Sequence, residues 1–153
     1  MTDFAGEYSE GMDQITEGPH EMGLTKYEWR EKDNGASIFL EFTERAPTNR
    51  RVSGWFNLFN NMAIEENPGR KQHNDIVLQT FGGLWRAAGI VSKDDFPKPN
   101  KEAFEAKLEE LNGNLIATVK VIPDTKGVKQ DDGTWKRELT GYMTFKTVYP
   151  IKK

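Results

Sequence analysis

From Ser37 to Thr43 every second position is aliphatic or aromatic, and the positions between are polar except Phe39. Ile38, Leu40 and Phe42 fall on one side; Ser37, Phe39, Glu41 and Thr43 fall on the other. That period of two predicts a half-buried β-strand. The preceding stretch "GLTKYEWREKDNG" reads as its hairpin partner, with Asn34-Gly35 as the turn, because both residue types tolerate positive φ. "APTN" marks a second turn, and residues 50–59 form a third strand. Its alternation places Val52, Gly54, Phe56 and Leu58 toward a core and Arg51, Ser53, Trp55, Asn57 and Phe59 on the opposite face.

The period then changes. Val77, Phe81, Leu84 and Ala88 lie at helical spacing, which predicts an amphipathic helix over 68–89. Asn67-Pro68 starts it and Gly89 ends it. Gly82-Gly83 inside that helix is unfavourable by roughly 1 kcal/mol per residue against alanine, so a backbone packed closely against it is expected. Phe104, Leu108 and Leu111 predict a short second helix capped by Asn100. "NLIATVKVI" and "ELTGYMTFKTVY" are strands, joined by the turn-rich tip "PDTKGVKQDDGTWKR". The order implies a mainly β protein with some α (α+β). Five strands with helices between the third and fourth is the order of an OB-fold, a partly open barrel; other α+β arrangements fit the same string.

Charge divides the chain unevenly. The 153 residues carry a net charge of −3, yet residues 1–25 contain six acids and no Lys or Arg, which leaves 26–153 at +3. Residues 1–18 read as an acidic arm, and 19–153 as a single domain. The absence of cysteine excludes disulfides and thiol chemistry. With no apolar run of membrane-spanning length and no signal-peptide pattern, a soluble, cytoplasmic protein is expected.

No phosphate-binding glycine loop, dinucleotide fingerprint or nucleophile elbow is present. His20 and His73 have no partner at metal-ligand spacing, and the adjacent acids Asp94-Asp95 and Glu109-Glu110 do not face each other. Neither an enzyme nor a cofactor is expected.

The chemistry that does stand out is rings interleaved with cations. Nonspecific single-strand binding uses rings on which bases stack and cations that meet phosphates. The candidates are Arg51, Trp55 and Phe59 on the third strand and Phe39 on the second, with either Tyr27 and Trp29 or Lys26 and Arg30 from the first. The tip adds Lys126, Lys129, Trp135, Lys136 and Arg137, and the last strand adds Lys146. Arg70 and Lys71 open the main helix, where free N–H groups favour anions.

The order of "YEWREKDNGASIFLEF", "RVSGWFNLFNN", "IVLQTFGGLWRAAGI" and "LEELNGNLIATVKVIPD" resembles small phage-encoded single-stranded-DNA-binding proteins of replication and recombination modules, over roughly residues 20–149. The resemblance implies an OB-like fold, cooperative or homo-oligomeric coating of single-stranded DNA, possible phage or host replication partners, and no cofactor. Many single-strand binders end in an acidic tail that recruits partners; this chain ends "YPIKK", so the acidic arm is the expected substitute. The rival expectation is a protein-interaction module, a recombination accessory factor or an inhibitor of a host protein, using the same rings.

Overall fold

Two long antiparallel strands, β1 (Gly18–Lys32) and β2 (Gly35–Glu44), open the chain in the computed structural model, which describes residues 14–45 and 48–151. Their turn is Asp33-Asn34, one residue earlier than the Asn-Gly reading, and Gly35 already pairs with Lys32 as the first residue of β2. Gly35 has φ +148, and a Cβ there would collide with the Leu58 carbonyl oxygen of β3 (Arg51–Phe59). The glycine serves the approach of two strands as much as the turn.

After β3 come α1 (Asn61–Glu66), α2 (Gly69–Ala87), a 3₁₀ turn (Lys93–Asp95) and α3 (Lys101–Leu111). The sequence pattern does not predict α1. It is a short turn of helix nucleated by Asn60, whose Oδ1 accepts from Ala63 N at 2.9 Å. α3 has the expected cap, Asn100 Oδ1 accepting from Ala103 N at 2.8 Å. α2 starts one residue later than expected, with Asn67 Oδ1 accepting from Gly69 N at 3.1 Å. Gly89, with φ +98, lies just past its end.

The chain closes with β4 (Ile116–Lys129) and β5 (Trp135–Tyr149). All five strands form one antiparallel sheet in the order β3-β2-β1-β4-β5. The sheet is not closed, but its two edges approach one another. Thr144 Oγ1 on β5 donates to the Ser53 carbonyl of β3 at 2.9 Å.

One face of the curved sheet packs on α2 and α3. Its core includes Met22, Leu24, Ile38, Leu40, Phe42, Val52 and Phe56 from the first three strands, with Val119, Val121, Phe145 and Val148 from the last two. Val77, Phe81, Leu84 and Trp85 enter from α2, and Phe104 and Leu108 from α3. The expected close backbone approach at the glycine pair is present. A Cβ on Gly83 would overlap the Val148 carbonyl oxygen, while Thr80 Oγ1 donates to the Lys146 carbonyl at 2.6 Å. α2 is thereby laid directly on the edge strand β5.

Two strand irregularities shape the outer face and the tip. A bulge between Leu24 and Lys26 shifts the β1 alternation, so Lys26, Glu28, Arg30 and Lys32 share the outer face with Phe39. Tyr27 and Trp29 point to the core side instead, with Trp29 edge-on to Phe104 at 5.8 Å. A second irregularity lies between Pro123 and Thr125, opposite Gly141 with φ +87. Beyond it β4 and β5 leave the sheet as a two-stranded ribbon, paired from Thr125–Leu139 to Lys129–Trp135. The stretch read as a turn-rich hairpin tip is thus mostly regular strand.

Residues 1–13 of the expected acidic arm lie outside the described residues. At its inner end Ile15 is buried in the core, and Gln14 Nε2 donates to the Gly141 carbonyl at 2.8 Å at the ribbon base. His20 joins this end to β2, its Nδ1 2.6 Å from Glu44 Oε1 and its Nε2 donating to the Thr16 carbonyl at 2.7 Å. No helix among the described residues is long and apolar enough to cross a membrane.

Candidate nucleic-acid interface

The alternation of β3 separates Trp55 from Phe56 as the sequence implied. Phe56 is 6 % exposed and packs against Phe81 and Phe145, whereas Trp55 is 47 % exposed on the opposite face. Phe39 pairs directly with Trp55 across β2 and β3, the ring centroids 5.1 Å apart at 52°. Cross-strand aromatic pairs of this kind stabilise a sheet while leaving part of each ring available.

Cations from β1 complete this platform. Lys26 Nζ lies 5.7 Å from the Phe39 ring centroid, and the Arg30 guanidinium lies 4.9 Å from that of Trp55. The bulge at Thr25 decides this, because it brings the basic residues of β1, rather than Tyr27 and Trp29, to the side of the rings. Acids are present too. Glu28 accepts from Arg30 Nη2 at 3.2 Å, and Glu41 sits beside Lys26 in the register.

Phe59 departs from expectation. It ends β3 half-buried beneath α2, between the His73 ring at 5.4 Å and the Arg70 guanidinium at 5.1 Å. Asn74 fixes it there, Oδ1 accepting from Phe59 N at 2.8 Å and Nδ2 donating to Phe59 O at 2.9 Å. This ring belongs to the β3–α2 packing, and His73 belongs with it. Arg70 also donates to the Ala63 carbonyl at 3.0 Å and pairs with Glu66 at 3.5 Å, while Lys71 pairs with Asp75 at 3.7 Å. Arg70 and Lys71, the candidate cations at the helix start, are therefore engaged within the helical segment.

Along the seam between β3 and β5 runs an open groove of about 1750 Å³. Arg51, Trp55, Tyr142 and Lys146 are among the side chains lining it, with Asp124 and His73 at its walls. Two of the expected contacts, Arg51 and Lys146, are thus brought to one groove from strands far apart in sequence. Trp55 lines this groove and is at the same time one of the two rings of the platform.

The ribbon carries the remaining candidates, split between its two sides. Lys129, Trp135 and Arg137 share one side, on which Gly127 leaves room for the Trp135 ring at 3.5 Å. Lys126 and Lys136 occupy the other. Arg137 is braced against Thr125, its Nη2 donating to Oγ1 at 2.8 Å and to the carbonyl at 3.2 Å. Asp132 at the apex accepts from the Thr134 hydroxyl and amide, which hold its carboxyl below the ordinary range.

Sequence reasoning missed Leu139 and Tyr142, each 70 % exposed like Trp135. The signal was Gly141, whose positive φ marks the irregularity at the ribbon base and breaks the alternation on either side. Among the described residues, no three acidic or imidazole side chains converge as a metal site. No protein-family model matches the chain, and no curated protein sequence matches it.

Proposed function

We propose that the protein binds single-stranded DNA without sequence preference, as the coating proteins of phage replication and recombination do. The observation that carries this reading is the Phe39–Trp55 pair on an exposed sheet face, with Lys26 and Arg30 over its rings and the Arg51/Lys146 groove at its edge. Bases stack on such rings for about 1–3 kcal/mol each regardless of identity, while the cations meet the backbone. The strand connectivity adds support. In the order β3-β2-β1-β4-β5, with the β3 and β5 edges drawn together at Ser53 and Thr144, the sheet needs one further pairing to become a five-stranded OB-like barrel. On this reading the ribbon, which joins strands four and five, is the arm that grips the strand through Trp135, Lys129, Lys126, Lys136 and Arg137.

A fluorescence titration tests it. Trp55 and Trp135 are exposed, whereas Trp85 is buried and Trp29 is packed against the core. Poly-dT should quench emission at low salt and duplex DNA should do so much less. The logarithm of affinity should fall with that of salt by about 0.7 for each phosphate neutralised.

Exposed Trp135, Leu139 and Tyr142 on and beside the ribbon favour a second reading, a protein-interaction module. Absence of any response to single strands would select it.

A further inference from the structure

Beside Trp55, on the side away from the β3–β5 groove, the outer face holds a recess of about 300 Å³ lined by Arg30, Lys32, Ser37, Trp55 and Asn57. The register explains how it arises. Arg30, Ser37 and Asn57 form one row across β1, β2 and β3, next to the row that contains Phe39 and Trp55. In the following row Lys32 faces Gly35, so the middle strand contributes no side chain between Lys32 and Phe59.

The polar groups in this recess are matched to an anion. Ser37, only 2 % exposed, donates its hydroxyl proton to Asn57 Oδ1. That bond turns the Asn57 amide so that its Nδ2 hydrogens are left to donate, and they meet no protein acceptor among the described residues. Lys32 makes no ion pair among the described residues, and Arg30 is steadied by Glu28 at 3.2 Å while lying over the Trp55 ring. Two cations and an amide donor therefore surround a small space whose wall is a flat aromatic ring. A phosphodiester beside a stacked base has this complementary shape and charge.

We propose that this recess is a phosphate subsite, and that Lys32, Arg30 and Asn57 hold the phosphodiester next to the base on Trp55. The proposal rests on the single-strand-binding reading and adds a path to it. The strand crosses the sheet from the Arg51/Lys146 groove over Trp55 toward β1, and does not run along the groove alone.

The test is a salt series of dT-oligomer titrations by fluorescence anisotropy. Lys32→Gln is expected to weaken binding several-fold at low salt and to reduce the salt slope by about 0.7, one phosphate's worth. Lys98→Gln, a cation in the loop before α3, is expected to leave the slope unchanged. Asn57→Ala should weaken binding with no change of slope, since it removes a neutral donor. On a dT strand with neutral methylphosphonate linkages the Lys32→Gln effect should vanish. A Lys32→Gln protein with unaltered slope, or an effect that persists on the neutral strand, overturns the phosphate assignment while the binding reading stands. A wild-type protein that binds no single strand removes that reading, and the subsite with it.

Discussion

Trp55 and Phe56 are neighbours in the chain, and the sheet lies between their side chains. The indole is 47 % exposed beside Phe39, and the phenyl ring is 6 % exposed against Phe81 and Phe145. Adjacent substitutions should therefore have opposite consequences. Phe56→Ala is expected to lose about 3–5 kcal/mol in urea denaturation, from lost burial and the cavity left behind. Trp55→Ala should lose about 1 kcal/mol, the scale of its aromatic pairing. On the proposed reading the order reverses for poly-dT, with Trp55→Ala weakening binding by about 1–3 kcal/mol. If both variants mainly unfold, the outer platform is misassigned.

The two central glycines of α2 should also behave differently. Gly82→Ala meets the Phe96 ring at an ordinary 3.5 Å, so the gain in helix propensity, up to about 1 kcal/mol, should raise the denaturation midpoint. Gly83→Ala places its methyl against the Val148 carbonyl oxygen, which is held in the sheet edge. Overpacking of about 1–3 kcal/mol should outweigh the propensity gain and lower the midpoint. Equal effects at the two sites would show that the backbones of α2 and β5 are not in direct contact.

Trp135 tests the ribbon without testing the core. The ring is 70 % exposed and lies beyond the irregularity where β4 and β5 leave the sheet. Trp135→Ala should keep the denaturation midpoint within about 0.5 kcal/mol of wild type. On the proposed reading it should weaken single-strand binding and remove part of the fluorescence quench. Full retention of both would confine the interface to the platform and groove.

Tyr27 gives a signature at alkaline pH. Burial, then the Glu109 and Glu105 carboxylates of α3, push its phenol above the ordinary value of about 10. A raised phenol value means that the folded state holds the proton more tightly than the unfolded chain. The stabilisation is complete below about pH 10 and is lost as pH rises through the folded value. Urea midpoints should fall more steeply above pH 10 in wild type than in Tyr27→Phe. Parallel curves would contradict this placement of Tyr27.

Local patterns were readable wherever one physical rule acted alone. The two-residue period of β2 and β3 assigned the core side for Ile38, Leu40, Phe42, Val52 and Phe56, because a half-buried strand cannot exchange its faces without exposing all of them. The spacing of Val77, Phe81 and Leu84 identified the buried stripe of α2, and Asn100 identified the start of α3. The glycine pair implied a close backbone neighbour but could not identify β5 as that neighbour.

Where two elements compete for the same residue, the sequence was silent or misleading. Phe59 follows the alternation of Trp55, yet the end of β3 meets α2, and Arg70, His73 and Asn74 take the ring and its backbone. Lys126 and Arg137 read as one basic tip, yet regular pairing sends them to opposite sides of a ribbon.

By itself, then, the sequence determined the strand and helix periods, the split of Trp55 from Phe56, and the ring-and-cation chemistry of the candidate surface. Only the tertiary structure decided which cations stand beside the rings and which strands form the groove. One bulged residue in β1 selects Lys26 and Arg30 over Tyr27 and Trp29. The meeting of β3 with β5 brings Arg51 to the same groove as Lys146. Both depend on register and on contacts between distant segments, which no local period encodes.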